Sequence, residues 1–174
     1  VASFRSAALT PAGGITVFVV VTLAWALGGL HWLLPLAAFY ALYIATLPKD
    51  GRIRADLDDV FPTTVGSMIV VLTFGHFGDV SLFVPYLATL TASGAIALSR
   101  LAMLRGWPPI PLGLSGALSP LIPVMAYQHN VPFLAIAIAT CAGIAAFMAL
   151  TNTHLAGRRL VASLLAGAVA WTMA

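Results

Sequence analysis

The sequence contains no glutamate, and all five of its acids are aspartates. Charged residues of either sign make up 7% of the 174 residues, where soluble domains carry roughly 25%. A water-soluble fold needs charge to cover its surface, and this chain has too little. Cysteine occurs once, as Cys141 in an apolar run. That excludes an intramolecular disulfide and any metal site of paired cysteines, and Cys141 reads as a small buried hydrophobe. No glycine-rich phosphate loop, nucleophile elbow or zinc-binding spacing is present. No acid stands at the centre of an apolar run, where a proton-coupling carboxylate would sit. Neither an enzyme nor a cofactor is expected.

What the chain has instead is apolar surface. Hydrophobic residues reach 61% and the mean hydropathy is +1.03, so the solvent for most side chains must be lipid. The net charge of +3 and the isoelectric point near 9.5 do not indicate nucleic acid. Eight Lys and Arg split among four short loops build no stripe that tracks phosphates. The N-terminal pattern, one arginine before an apolar run that leads into another, is not that of a cleavable signal. A single transmembrane domain is expected over residues 1–174, with the possibility that it is a fragment of a longer chain.

A membrane-crossing helix needs about 20 apolar residues. By that ruler the chain is an all-α, polytopic helical bundle of six spans plus a short seventh segment. The spans are 11–30, 32–47, 60–77, 81–99, 109–127 and 131–150, and the seventh piece is 160–174. Arg5 precedes the first span, and Lys49, Arg52 and Arg54 separate the second and third. Arg100 and Arg105 separate the fourth and fifth, and Arg158 and Arg159 follow the sixth. This threading puts all eight basic residues on one face. The opposite turns, Gly29–His31, His76–Val80 and Gln128–Asn130, carry none. The positive-inside rule makes the basic face cytoplasmic, with the N-terminus on that side, and the expected location is the inner membrane. Trp32, Trp107 and Tyr127 fall near the predicted interfaces, where amphipathic rings settle, whereas Tyr40 and Tyr43 lie deeper.

Three stretches stand out. The loop from Lys49 to Asp59 holds four of the five acids and three of the eight bases. It reads as a solvated loop whose acids lead into a helix N-terminus, with Pro62 in the first turn. Thr63, Thr64, Gly66 and Ser67 then open the third span with small and hydroxylic residues suited to close helix packing. The fifth span holds Pro108, Pro109, Pro111, Pro120 and Pro123, five prolines within sixteen residues. Each interior proline removes a backbone donor, and in lipid the freed carbonyl must be met by protein or a wet cavity. A kink is therefore expected near Ser119–Pro123, buried in protein, and broken helices of this kind mark transporter sites. His31, His76 and His129 fall in the three outer turns with Asp79 beside His76. Interface polarity explains them better than a metal or a proton switch.

The first hairpin, from Ala7 through Gly28-Gly29-Leu30-His31-Trp32, is followed by a charged loop and then by Val60-Phe61-Pro62-Thr63-Thr64-Val65-Gly66-Ser67. This order resembles the fusaric-acid-resistance and aromatic-acid-exporter family, with Thr64 matching a motif threonine and Gly66 lying near a motif glycine. The helix led by Arg159 and containing Gly167 resembles a second element of that family. The motif arginine is replaced by the Asp59–Pro62 stretch, the first motif glycine is Thr63, and the family's cytoplasmic domain is missing. The resemblance implies efflux of aromatic or similar small organic acids.

The expectation is thus an inner-membrane transporter with a path between the third and fifth spans, lined by Thr63, Thr64, Ser67, Ser115 and Ser119 and broken at Pro120 and Pro123. Arg52, Arg54, Arg158 and Arg159 would concentrate a small organic anion at the cytoplasmic mouth. The expected partners are the bilayer and either a second copy or a larger membrane complex. The alternative is a non-transporting subunit of such a complex, because small residues on the spans serve close contacts between subunits equally well. A polar-lined cavity beside Ser115–Pro123 would favour transport, and a dry interior would favour the subunit.

Overall fold

The computed structural model describes residues 10–47, 57–127, 131–149 and 158–173, and the side chains of these apart from 57–63 and 158–160. The elements are α1 (Pro11–Thr46), α2 (Leu57–Phe77), α3 (Phe83–Leu104), α4 (Pro109–Leu118), α5 (Leu121–Tyr127), α6 (Phe133–Ala149) and α7 (Arg158–Met173). A single 3₁₀ turn, Val80–Leu82, leads into α3. No strand occurs among the described residues.

Helix α1 begins where the Thr10 hydroxyl accepts the Gly13 amide at 3.1 Å, with Pro11 in the first turn. A proline is harmless there because its absent N–H would have been unpaired anyway. Its 36 residues would extend about 54 Å if straight, well beyond a hydrocarbon core of about 30 Å. The element is instead two limbs that meet at Gly29, whose φ of 69° and ψ of −161° leave the helical region. Backbone of that kind is open mainly to glycine. The contacts show a reversal. The first limb runs beside α2, with Ile15 and Val19 near Thr64 and Met68 and Leu27 near Gly75. The second limb returns along α2, with Trp32 stacked on Phe74 at 4.5 Å and Tyr40 beside Thr64.

Helix α3 is the centre of the molecule. It packs against α1, α2, α4, α6 and α7, and 83% of its most apolar window is buried. A helix that is apolar on every side belongs in such a position. Close approach is possible because small residues line its contacts. Gly94 meets the backbone of Gly116 on α4 so tightly that a Cβ on either glycine would collide with the carbonyl of the other. On α6, Gly143 faces Ala92, Ala162 and Ala166. Aromatic side chains fill the end near the α1 turn, where Trp32 lies against Phe74, Phe83 and Tyr86.

Among the described residues, three helical stretches are long and apolar enough to cross a membrane: Pro11–Thr46, Val80–Leu104 and Pro109–Tyr127. The outside of the bundle matches such surroundings. Phe18, Trp25, Ile110, Ile122, Leu134 and Met148 are all more than 60% exposed, which water would penalise by about 25 cal/mol for each Å² of apolar surface. Two sequence expectations need correction. Cys141 is exposed on α6 rather than buried, since it faces outward beside a groove. Trp32 is a core residue at 3% exposure rather than an interfacial one. Trp107 does lie at an end of the bundle, half exposed, with the Arg105 guanidinium 4.5 Å above its ring.

Candidate functional site

The proline-rich segment breaks at Ser119 and Pro120, between α4 and α5, inside the interval where its prolines predict a kink. The break has a simple chemical cause. Pro120 offers no N–H to the carbonyl four residues back, that of Gly116, and Pro123 offers none to Ser119. The Gly116 carbonyl is met instead by the Ser119 hydroxyl, which donates to it at 3.2 Å. A second proline shows the same arrangement across the fold. Pro35 in the second limb of α1 lacks an N–H for the His31 carbonyl, and the Tyr127 hydroxyl at the end of α5 donates to that oxygen at 2.9 Å. The His31 and Tyr127 rings lie 5.1 Å apart. One residue on, the buried Tyr86 hydroxyl donates to the Trp32 carbonyl at 2.5 Å. At Gly116 and His31, side-chain hydroxyls thus supply donors to carbonyls that prolines leave open, as an apolar medium requires.

The residues expected to line a path fall into two groups that the fold does not bring together. Thr64 and Ser67 are buried on α2, and the Ser67 hydroxyl donates to the Thr64 carbonyl at 2.8 Å. Helix α2 packs on α1, α3 and α7. Ser115, Ser119, Pro120 and Pro123 belong to the α4–α5 segment, whose larger part packs on α3. Ser115 is exposed, and its hydroxyl donates back to the Pro111 carbonyl at 3.0 Å. Thr63 is part of α2, but its side chain lies outside the described residues, as do those of Arg158 and Arg159 in the first turn of α7. Arg52, Arg54 and His129 lie wholly outside them. Among the described residues, no group of three His, Cys, Asp or Glu gathers as metal ligands would.

Among the described residues, the grooves on the bundle surface include two that are mostly apolar. One, of about 380 Å³, lies between α4 and α6 with α3 as its floor. Its walls include Ile110, Leu114, Leu118 and Ile136, and Cys141 is on its rim. The polar groups here are already partnered. Thr91 and Thr140 share a hydrogen bond of 2.6 Å, and the Ser99 hydroxyl donates to the Pro109 carbonyl at 3.3 Å. The other groove, of about 450 Å³, lies between the first limb of α1 and α2 and is apolar apart from Thr16 and Thr64.

Among the described residues, two buried hydroxyls, those of Tyr40 and Ser93, have no hydrogen-bond partner. Thr64 is close enough to Tyr40 to act on it electrostatically, but the two do not close a bond of ordinary geometry. Ser93 lies one helical turn from Thr89, on the face of α3 that meets Gly167 of α7. At the α1-turn end, Asp79 is exposed, and its carboxylate accepts the Ser81 amide at 2.9 Å. That bond holds the Asp79 carboxyl below the ordinary aspartate value of 3.8.

Sequence reasoning located the break and its serine, but missed Tyr86, Tyr127 and the Thr91–Thr140 pair. A signal for Tyr127 was present only in part: Pro35 marks His31 as a carbonyl in need of a donor, but nothing in the sequence says which hydroxyl answers. Comparison with protein-family models, curated proteins and solved structures finds no match. The resemblance to the aromatic-acid exporters therefore rests on the residues quoted for it alone.

Proposed function

We propose that this chain is a multi-pass membrane protein of six spans and a seventh segment, its N-terminus in the cytoplasm, serving as a non-transporting packing subunit of a larger membrane assembly. Support for the topology comes from the chemistry of the two bundle ends. Arg100 and Arg105 lie at the end of α3 that leads into α4, while His31 lies beside the α1 turn and His76 and Asp79 lie in the turn between α2 and α3. The reversal of α1 at Gly29 supports a threading of alternating limbs, in which the sequence order of the basic residues would put them on one face.

The observation that carries the subunit reading is the close contact of α3 with its neighbours. The Gly94–Gly116 crossing joins backbone to backbone. The hydroxyls of Ser67, Ser115 and Ser119 are engaged by carbonyls of their own helices, so none is offered to a passing solute. The grooves are apolar and face outward, a chemistry suited to lipid or a neighbouring helix rather than to an organic anion. Helices in a bilayer associate through such small-residue surfaces.

A second reading, export of small organic acids, is favoured by one feature, the proline break at Ser119–Pro120, because broken helices recur at transport sites. One preparation separates the two. The protein is reconstituted into vesicles loaded with benzoate, and the same sample is weighed by native mass spectrometry. The subunit reading predicts benzoate release no faster than from protein-free vesicles and a mass above that of one chain. Benzoate release well above the protein-free rate, from a species with the mass of one chain, would overturn it.

A further inference from the structure

Helix α5 differs from its neighbours in how it is held. It has seven residues, and Val124 is its only fully buried one. It packs chiefly on α1 and touches α4 only slightly, while Ile122 and Met125 on its outer side are exposed. At its near end two ladder hydrogen bonds are missing, those that Pro120 and Pro123 cannot make. A serine hydroxyl stands in for one of them. At its far end a single side-chain bond, from the Tyr127 hydroxyl to the His31 carbonyl, ties it to the α1 turn. Leu121, its first residue, lines the α4–α6 groove, as does Phe133 of α6.

We propose that α5 is a hinged segment that swings about Ser119–Pro120, latched by Tyr127 on His31, and that its swing displaces the side chains beyond Leu121 at the end of the groove that Phe133 also lines. The hinge is built in because loss of backbone donors removes the ladder that would make α4 and α5 one rigid rod. The latch is a neutral hydrogen bond at a half-buried side chain, strong enough to bias α5 and weak enough to release it. The hydrogen bond is to the His31 backbone carbonyl, with the imidazole 5.1 Å from the Tyr127 ring beside it. The proposal does not depend on whether the protein is a subunit or an exporter, since it concerns only the motion of α5 over the groove.

Spin labels at Ile122→Cys and Leu134→Cys, in a Cys141→Ser background, place reporters on α5 and α6 at that end of the groove. Pulsed distance measurement in nanodiscs should give one narrow distribution for the parent. Tyr127→Phe should raise a second, displaced population by about threefold to tenfold, the factor expected from loss of one neutral hydrogen bond. Adding Pro120→Ala, which returns an N–H to the Gly116 carbonyl, should suppress that population. A control pair, Leu114→Cys with Leu134→Cys, should not change. The proposal is overturned if the Tyr127→Phe distribution superimposes on the parent, or if the α4 control pair shifts equally. Should Tyr127→Phe fail to fold, Pro120→Ala alone decides: a narrower distribution than the parent is expected, and an unchanged width refutes the hinge.

Discussion

Hydroxyl groups in this molecule are of three kinds, and single substitutions distinguish them. Ser119 serves a carbonyl that has lost its backbone donor. Ser119→Ala leaves the buried Gly116 oxygen without a donor and should cost about 1–3 kcal/mol, the penalty of an unsatisfied buried polar group. Thermal unfolding in detergent measures this. Tyr40 represents the opposite case, a buried hydroxyl without a hydrogen bond. Tyr40→Phe removes a desolvated group and keeps the ring packed on Phe39 and near Tyr43, so it should be neutral or raise the melting temperature. A clear loss of stability in Tyr40→Phe would show that the hydroxyl has a partner and would remove it from this class. Thr91 is intermediate, bonded both to Thr140 and to the Ala88 carbonyl. For that reason Thr140→Val should be milder than Ser119→Ala, since Thr91 keeps one acceptor.

At the scale of elements, α3 depends on its crossing with α4. Gly94→Ala or Gly116→Ala forces the two backbones apart at a contact where no side chain can yield. Each should destabilise by about 3 kcal/mol, typical of overpacking. The double variant should cost clearly less than the sum, because the first methyl already opens the crossing. Equal and additive costs would mean that the two glycines act separately. The turn before α3 carries a pH-dependent contact. The folded Asp79 carboxyl is held below its ordinary value by the Ser81 amide, so its cap stabilises at pH above that ordinary value. The contribution is lost as the pH falls through the lowered folded value. Acid unfolding of the wild type should therefore show a dependence in that range that Asp79→Asn lacks.

Elements of this kind were partly readable. The Gly28–Gly29 pair and the prolines at 120 and 123 mark where the chain turns or breaks, because those residues change backbone options directly. Trp32 was misplaced because an interfacial position and a core position ask for the same amphipathic ring, and only Phe74, Phe83 and Tyr86 from distant parts of the chain decide between them. The outward-facing Cys141 was misjudged for a related reason. A helix that is apolar all round has no polar face to reveal its orientation.

For the whole molecule, composition was sufficient to give an all-helical chain with several apolar segments of membrane-spanning length. The partnering of helices was not legible, since inter-helix contacts in lipid come from small residues and matched hydroxyls rather than from periodicity. Thus Thr64 and Ser67 could be paired on paper with Ser115 and Ser119, yet α2 and α4 each pack on α3 rather than on one another. The same accounting makes the outer surface a prediction. The exposed apolar residues require an apolar medium, and the sparse charges must sit at its two boundaries.

A labelling map tests that account most directly. In a Cys141→Ser background, single cysteines at Arg54, Asp79 and Arg105 are treated in intact cells with a membrane-impermeant maleimide, before and after the membrane is opened. Asp79→Cys should react from outside, whereas Arg54→Cys and Arg105→Cys should react only once the membrane is opened. Labelling of Arg54 and Arg105 from opposite sides would contradict it.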